Sequence, residues 1–390
     1  MILLDATHTS HTRAQTGIQR VVRSLFRELE KRGQAAPICF DPHEHAWRGL
    51  TAQELATLRD SGGGSGSRGA KWTLTQKLAG RARRLLGRSG ELPPARGLVV
   101  PELFSTKVAA QLPALLARVR GPRVAVFHDA IGLKFPELTP PATVARLPGY
   151  LVELAQFDGI AAVSEDSAAS LRDFWRWAGI ARTPPVCAIP NGVDPVPTGA
   201  LGAANSGGAP RVLCVSTIEG RKNHLALLEA AETLWREGRD FELELIGLAR
   251  ADTAAPALAR IATLRESGRK ITHHGPVSDE KLHAAYARCA FTVYPSLIEG
   301  FGLPVVESLQ HGRPCIGSGH GALGEAARGG GVLLLDRPDA DHLATAMRQL
   351  LGDAALAADL AAQARARKFR SWSDYAGELL GWMAALPRRD

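Results

Sequence analysis

The stretch AFTVYPSLIEGFGLPVVESLQHGRP, residues 290–314, contains one complete strand–loop–helix unit. Residues 290–296 are mostly apolar, which predicts a buried strand. Residues 304–312 predict a short helix, with Pro304 in its first turn and Gly312 at its end. The loop between them therefore follows the carboxyl end of a strand and leads into a helix N-terminus. This order of elements is typical of a parallel α/β sheet.

Strands and helices alternate in the same way over most of the 390 residues. The apolar runs that predict strands are MILLDA, APICF, RGLVV, RVAVFHDA, GIAAVS and PVCAIPNGVD in the first half, and RVLCVST, FELELIG, KITHHG, AFTVYPS, PCIGS and GVLLLD in the second. Helical periodicity separates many of these runs, and Ser164 and Ser278 are the expected N-caps of two helices. The fold class that this predicts is α/β, with two Rossmann-like, doubly wound domains facing a cleft.

Composition changes divide the chain into segments. Residues 1–194 are the expected first domain, with a basic insertion at about 50–96, and the Pro- and Gly-rich residues 195–209 are the expected linker. Residues 210–368 are the expected second domain, and a C-terminal helix is expected at 369–390. GGGSGS at 62–67 has the composition of a flexible linker, either natural or engineered.

Most of the net charge of +8 comes from one segment. Residues 68–96 hold eight cations and one carboxylate, so the rest of the chain is nearly neutral and a nucleic-acid-binding body is not expected. Within that segment, helical spacing predicts one apolar stripe beside basic faces, formed by Leu74, Leu78, Ala82 and Leu85. Such a helix can lie on an anionic membrane surface. A solvated helix over the first domain and a mobile loop are the alternatives.

Neither a secretory signal nor a run of eighteen apolar residues is found in the sequence, so we expect no membrane span. The five cysteines are scattered and lack the spacing of metal ligands. Buried, reduced thiols in a cytoplasmic protein fit this pattern best.

Two loops carry the residues that indicate chemistry. In the opening stretch, Glu299 lies in the loop and Glu307 lies within the helix, so the two carboxylates are expected to reach different parts of one extended ligand. Gly300 and Gly302 would let that ligand approach the backbone. The second loop, in STIEGRKNH at 216–224, places a pair of cations, Arg221–Lys222, before a helix. Cations oppose the helix dipole there unless an anion lies between them, and a diphosphate is such an anion.

STIEGRKNH and PSLIEGFGLPVVESLQHGRPCIGS resemble the corresponding motifs of the retaining, GT-B-fold glycosyltransferases of family four. Four further stretches agree in the same order along the chain: VAVFHDA, AAVSEDSAASLRDF, AIPNGVD and HHGPVSDEKLHAAYARC. The resemblance covers nearly the whole chain outside roughly residues 50–96. It implies that the first domain binds the acceptor and the second the nucleotide-sugar donor. It also implies that the helix at 369–390 crosses back to the first domain.

The resemblance also implies residue roles in the second domain. Arg221 and Lys222 are expected to hold the donor diphosphate and to stabilise its charge as it leaves. Glu299 is expected beside the donor sugar, and Glu307 on the ribose hydroxyls.

Further donor contacts are implied on both domains. The backbone N–H groups of Phe301, Gly302 and Leu303 are expected at the sugar and the phosphate. From the first domain, His128 is expected to reach the donor sugar, and Gly17 to lie near the diphosphate.

These motifs are most similar to those of mannosyl- or rhamnosyl-type enzymes of bacterial surface-polysaccharide assembly. The resemblance therefore implies retaining transfer of mannose from GDP-mannose to a glycan or lipid-linked acceptor, at the inner face of the cytoplasmic membrane, without a metal cofactor. The alternatives are another donor (UDP-GlcNAc, UDP-glucose, or a dTDP- or GDP-deoxyhexose) and a catalytically inactive scaffold that binds sugar nucleotides.

Four other patterns have rival interpretations. Paired carboxylates also occur in glycoside hydrolases, but those do not need an Arg–Lys pair beside a helix. GHGALG at 319–324 matches a dinucleotide-binding motif, yet too few residues follow it before the next strand. DAD at 339–341 is interpreted as a helix cap rather than a metal site, and HEH at 43–45 as a solvated loop.

Overall fold

The computed structural model describes residues 1–15, 17–60, 69–87, 90–197 and 208–387. The chain forms two compact units, one made of Met1–Gly192 with Arg370–Asp390 and the other of Val193–Phe369. Each unit contains one sheet with helices around it, so the predicted α/β class with two doubly wound sheets is confirmed. The GGGSGS segment and most of the predicted linker lie outside the described residues.

The first unit has a seven-stranded sheet in the order β3-β2-β1-β4-β5-β6-β7. Its strands are β1 (Ile2–Asp5), β2 (Ala35–Asp41), β3 (Ala46–Gly49), β4 (Leu98–Val100), β5 (Arg123–Phe127), β6 (Gly159–Ala162) and β7 (Val186–Ala188). All neighbours pair in parallel except β3, which runs antiparallel to β2 at the edge. β3 was not predicted, because four residues that include an arginine give no clear strand pattern.

Helices surround this sheet. They are α1 (Gly17–Lys31), α2 (Ala52–Arg59), α3 (Leu74–Leu85), α4 (Thr106–Ala109), α5 (Leu112–Arg118), α6 (Ile131–Lys134), α7 (Pro141–Glu153), α8 (Glu165–Trp177) and, from the C-terminal segment, α16 (Trp372–Ala385). The apolar face of α1 is buried as its periodicity predicts. Ser164 caps α8, and its hydroxyl accepts a hydrogen bond from Ser167 N at 3.1 Å. α16 packs against α1 within the same unit.

The second unit has a six-stranded, all-parallel sheet in the order β10-β9-β8-β11-β12-β13. Its strands are β8 (Arg211–Val215), β9 (Glu242–Ile246), β10 (Ile271–His273), β11 (Phe291–Tyr294), β12 (Cys315–Ser318) and β13 (Val332–Leu335). Its helices are α9 (His224–Arg236), α10 (Ala255–Glu266), α11 (Asp279–Arg288), α12 (Leu303–Gln310), α13 (Gly321–Ala327), α14 (Ala340–Gly352) and α15 (Ala354–Ala366). Ser278 caps α11 as predicted.

Two rival patterns are resolved by these elements. Asp339 caps α14 by accepting a hydrogen bond from His342 N at 3.0 Å, so the interpretation of DAD as a helix cap is confirmed. α13, which follows GHGALG, ends at Ala327, and β13 begins at Val332. A helix this short does not fit a dinucleotide-binding unit, which agrees with the interpretation of GHGALG given above.

The prediction that HEH is a solvated loop is wrong for its glutamate. The segment does form the turn between β2 and β3, but Glu44 is only 5% exposed. Its carboxylate accepts hydrogen bonds from Gly90 N at 2.7 Å and from the Arg83 guanidinium at 3.0 Å. Arg48 lies at 4.0 Å, so two cations compensate the buried charge.

The basic segment forms the amphipathic helix α3, whose apolar stripe faces solvent. Leu74, Leu78 and Leu85 are 71%, 54% and 88% exposed. Trp72 precedes α3 and is not part of this stripe. Its ring stacks on His11, with ring centroids 3.8 Å apart. None of the helices in the described residues has both the length and the apolar composition needed to cross a membrane.

Candidate active site

The loops after β8 and β11 meet at the position where the sheet of the second unit reverses its order. β8 and β11 are neighbours in the sheet, and the chain winds outward from them in opposite directions. In open α/β sheets, ligands bind at the carboxyl ends of the strands beside such a switch point. Arg221 and Lys222 follow β8 in a short 3-10 turn, and Glu299 follows β11. The strand order thus brings together residues that are 77 positions apart.

Glu299 is held by four donors. One carboxylate oxygen accepts from Lys222 Nζ, from Ser296 Oγ and, at 3.0 Å, from the hydroxyl of Tyr294. The other oxygen accepts from the Arg221 guanidinium at 2.9 Å. Lys222 Nζ also donates to the Tyr294 hydroxyl at 2.7 Å. The carboxylate and the ammonium are both buried, at 9% and 8% exposure, so this arrangement is a buried ion pair with a phenol bridging its members.

The electrostatics keep Glu299 ionised. Burial alone would raise the pKa of this carboxyl, but Lys222 and Arg221 lower it to about 2. Burial lowers the pKa of Lys222, an effect that Glu299 opposes. A carboxylate with a low pKa holds no proton to give near neutral pH, so it is a poor general acid. It is also a poor general base, because a low pKa means weak basicity and its oxygens are already occupied. Glu299 is therefore unsuited to be the general acid of a glycoside hydrolase, which needs a raised pKa.

The two loops are also joined through their backbones. Leu297 N donates to the carbonyl of Arg221 at 2.9 Å, and Ser296 Oγ donates to the same carbonyl at 3.3 Å. On its other side Arg221 pairs with Glu219 at 2.8 Å, and Glu219 pairs with Arg250 at 3.4 Å. The position of the two cations is therefore fixed by the protein before any ligand arrives.

The N-terminus of α12 lies directly after this loop and has no side-chain cap. Gly302 precedes the helix with φ +91°, a left-handed conformation that favours glycine, and a Cβ there would lie 2.9 Å from Leu323 Cδ2. Phe301 and Leu303 pack partly against the apolar cluster behind the helix. The first N–H groups of such a helix suit an anion.

Glu307 lies one turn into α12 and is 8% exposed. The hydroxyl of Tyr286 donates to its carboxylate at 3.1 Å. Glu307 is therefore positioned on the same loop–helix unit as Glu299 but belongs to a different hydrogen-bond group.

His128 and Gly17 belong to the first unit. His128 follows β5, is buried, and lies with Nε2 2.8 Å from the carbonyl of Pro101, so Nε2 carries a proton. Burial lowers the pKa of His128, which favours the neutral ring. Gly17 opens α1, and a Cβ at this position would meet no atom within 4 Å.

Tyr294 and Ser296 were not predicted as site residues. Both lie in the motif that flanks Glu299, at the end of β11 and in the loop after it. The signal was present, because a tyrosine at the carboxyl end of a parallel strand places its hydroxyl near the ligand edge of the sheet. Its contact with Lys222 could not be deduced, because it depends on β8 being the neighbour of β11.

Within the described ranges, no group of three or more His, Cys, Asp or Glu side chains is arranged to hold a metal ion. The five cysteines are free thiols, and all are buried except Cys187, which is half-buried.

The chain is similar to known glycosyltransferases. Residues 203–367 match the family model described as glycosyl transferases group 1. The serotype-specific mannosyltransferase WbdA of Escherichia coli is 29% identical over 351 residues, which cover 81% of this chain and 38% of WbdA. The O-antigen chain mannosyltransferase B of Escherichia coli is 34% identical over 145 residues, which cover 36% of each protein. The chain thus spans about two fifths of the length of WbdA.

Solved structures share the fold. The sucrose-phosphate synthase of Thermosynechococcus elongatus superposes with a TM-score of 0.71 at 20% identity, over 98% of this chain and 97% of the other. HepE of Anabaena, solved in complex with UDP and glucose, gives a TM-score of 0.69 at 16% identity, over 99% of both chains.

The two α/β units thus have the GT-B fold. Residues 203–367, which contain the Arg221–Lys222 pair and both glutamates, are similar to the glycosyl transferases group 1 family. The resemblance inferred from the motifs is confirmed.

Proposed function

We propose that the chain transfers a hexose from a nucleoside-diphosphate sugar to a hydroxyl of a glycan or lipid-linked acceptor, with retention of anomeric configuration. The observation that carries this proposal is the preformed Arg221–Lys222–Glu299 cluster at the switch point between β8 and β11. Two fixed cations beside the uncapped N-terminus of α12 suit a diphosphate that gains negative charge as it leaves.

The donor we propose is GDP-mannose. This choice is supported by the relatives, since WbdA and the O-antigen chain mannosyltransferase B are both named as mannosyltransferases. UDP-glucose is the alternative with a specific observation behind it, because HepE was solved with UDP and glucose. UDP-GlcNAc and dTDP- or GDP-deoxyhexoses are further alternatives.

The two units have different roles in this proposal. In the second unit, Lys222 and Arg221 neutralise the leaving diphosphate, and Glu299 fixes both cations beside the donor sugar. The backbone N–H groups of residues 301–303 contact the sugar and the phosphate, and Glu307 accepts hydrogen bonds from the ribose. The second unit therefore binds the donor.

The first unit binds the acceptor and contributes His128 at the donor sugar and Gly17 near the diphosphate. Because both carboxylate oxygens of Glu299 are held by hydrogen bonds from neighbouring side chains, no protein nucleophile is assigned. Retention instead follows from attack on the face that the diphosphate leaves, with a departing phosphate oxygen accepting the proton of the acceptor hydroxyl. No metal cofactor enters this proposal.

A two-stage experiment tests the function. Thermal shifts are first measured with GDP, UDP, dTDP and ADP, where a ligand at 100 times its Kd stabilises by roughly 2.7 kcal/mol. GDP is expected to give the largest shift. The purified chain is then incubated with GDP-mannose and a mannose-containing glycan, and the anomeric configuration of the product is determined by NMR. Stabilisation by GDP without transfer or donor hydrolysis would favour the inactive scaffold.

We further propose that α3 brings the protein to an anionic membrane surface. Support comes from its leucines, which face solvent, and from the exposed cations Arg81 and Arg84 on the same helix. Arg83 does not contribute, because it pairs with Glu44. Each cation near an anionic surface adds about 1 kcal/mol, and the leucines add buried apolar area.

Vesicle sedimentation tests this second proposal. The chain is expected to pellet with vesicles that contain phosphatidylglycerol and not with phosphatidylcholine alone, and salt is expected to weaken the binding by screening. Leu78→Asp with Leu85→Asp should abolish pelleting, whereas Leu334→Asp, at an exposed leucine of the second unit, should not. Equal pelleting with both vesicle types would contradict a role for charge, and pelleting of the double variant would contradict a role for α3.

A further inference from the structure

A polar cavity lies in the first unit, and none of the proposed donor-site residues lines it. Its volume is about 280 Å³, and it is bounded by the loop after β1 (residues 10–13), by one face of α2, and by residues between 69 and 76. Every lining residue except Gly69 has a polar side chain. Most small-molecule sites are larger, about 300–1,000 Å³, and largely apolar. A ligand that fits here is therefore small and polar over its whole surface.

The walls of this cavity are held in place by buried hydrogen bonds. Glu54 of α2 lies 2.9 Å from His11 Nε2 and accepts from Gln76 at 3.0 Å and from Arg48 at 2.7 Å. The backbone N–H of Lys71 donates to the carbonyl of His11 at 2.8 Å. The loop after β1, α2 and the segment before α3 are thus tied together, so the cavity exists without a ligand.

Uncommitted donors and acceptors remain on these walls. Among the described residues, the side-chain amide of Gln53 and the ammonium of Lys71 have no hydrogen-bond or ion-pair partner. The Thr57 hydroxyl donates to the carbonyl of Gln53 at 3.0 Å, which leaves its lone pairs for a ligand. An amide, a hydroxyl and an ammonium, carried by residues that line a space of this size, match the donors and acceptors of a monosaccharide.

The cavity also has a position that suits an acceptor subsite. The loop after β1 lies at the carboxyl end of the sheet, where open α/β sheets bind ligands. Two of its three walls come from residues 53–57 and 69–76. These lie within the part of the chain, roughly 50–96, that does not share the family resemblance. A feature of this chain, rather than of the family, therefore shapes the cavity.

We infer that this cavity is a subsite for one neutral sugar residue of the glycan acceptor, bound through Gln53, Thr57 and Lys71. The assignment to the acceptor rests on the proposed transferase function. Sugar binding by the cavity does not, and the two are tested separately.

Binding is tested first, on the full chain and without donor. Saturation-transfer NMR with methyl α-mannoside is expected to give a signal with the wild type, a weaker one with Gln53→Ala, and none with Thr57→Trp, which fills the cavity. The matched control is Thr263→Trp, because Thr263 on α10 donates to the carbonyl four residues earlier at 3.2 Å, as Thr57 does, but does not line the cavity. Thermal melting checks that the tryptophan variants are folded. If Thr57→Trp is unfolded, the binding signal of Gln53→Ala decides the question, because Gln53 is exposed and its truncation should not disturb the fold.

The inference is overturned if the wild type binds no methyl α-mannoside, if the signal persists in the cavity variants, or if inorganic phosphate binds there in place of the sugar. Transfer kinetics test the acceptor role. Gln53→Ala is expected to raise the KM for the glycan acceptor several-fold, far more than the KM for the donor. An unchanged KM for the acceptor would show that the cavity is not an acceptor subsite. If no transfer is detected but mannoside binding still depends on Thr57, the proposed function fails and the sugar site stands.

Discussion

Lys222 is a buried cation held between the Glu299 carboxylate and the Tyr294 hydroxyl. Its charge is fixed where the proposed leaving group gains negative charge, so its main effect should appear in the transition state. We expect Lys222→Ala to lower turnover at saturating donor by on the order of 100-fold or more. Steady-state kinetics with varied donor measure this effect.

Two other variants serve as comparisons. Glu307→Ala should mainly raise the KM for the donor, because its proposed contact with the ribose is the same in ground and transition states. Lys270→Ala removes an exposed lysine that pairs with Asp240 at 2.6 Å, and should leave the kinetics unchanged. Near-normal turnover of Lys222→Ala at saturating donor would refute the proposed diphosphate clamp.

Asp5 and Glu102 form a pair of buried carboxyls at the carboxyl ends of β1 and β4. Burial, and secondarily the nearby Glu102, raises the pKa of Asp5 to about 7 from an ordinary value of 3.8. A raised folded-state pKa contributes stability that is complete below the unfolded-state value and is lost as pH rises through the folded-state value. Asp5 should therefore cost stability progressively between about pH 4 and pH 7.

Asp5→Asn isolates this effect, because the amide oxygen can still accept the hydrogen bond that Thr7 N donates at 2.9 Å. We expect the stability of the variant, relative to the wild type, to increase from pH 5 to pH 8. Urea unfolding at several pH values measures the difference, in which the titration of groups that do not interact with Asp5 cancels. A difference that does not change with pH would show that Asp5 has an ordinary pKa in the folded protein.

Among the elements, α16 is a helix whose packing partner lies far from it in the chain. It follows the whole second unit in sequence, yet it packs against α1 of the first. Its buried face includes Trp372, Tyr375 and Leu379. The first unit is therefore completed only when the C-terminal residues have been synthesised.

Leu379→Ala should destabilise the first unit by about 2–5 kcal/mol, since Leu379 is completely buried and its truncation leaves a cavity. Chemical unfolding measures the loss. Leu74→Ala is the matched control, because Leu74 is 71% exposed, and it should change stability little. Equal effects of the two substitutions would mean that α16 does not pack as described.

At the scale of the whole molecule, each unit has its own apolar core. Units of this kind commonly unfold separately, which breaks two-state behaviour. We expect calorimetry to resolve two transitions. GDP should raise the transition of the second unit, whereas Leu379→Ala should lower that of the first.

Opposite assignment of these shifts would place the nucleotide in the first unit. A single transition on which both GDP and Leu379→Ala act would show that the two units unfold as one.

The α/β class, the caps at Ser164, Ser278 and Asp339, and the resemblance that pointed to both loops of the candidate active site could all be read from the sequence. These features are local, because periodicity and capping depend on residues within one element. The pairing of side chains, in contrast, depends on contacts that form only in the folded chain. Glu44 is buried because Arg83, 39 positions away, reaches it, and Lys222 meets Glu299 because β8 and β11 are neighbours in the sheet. The burial of a charge depends on such distant partners, and no local pattern in the sequence records them.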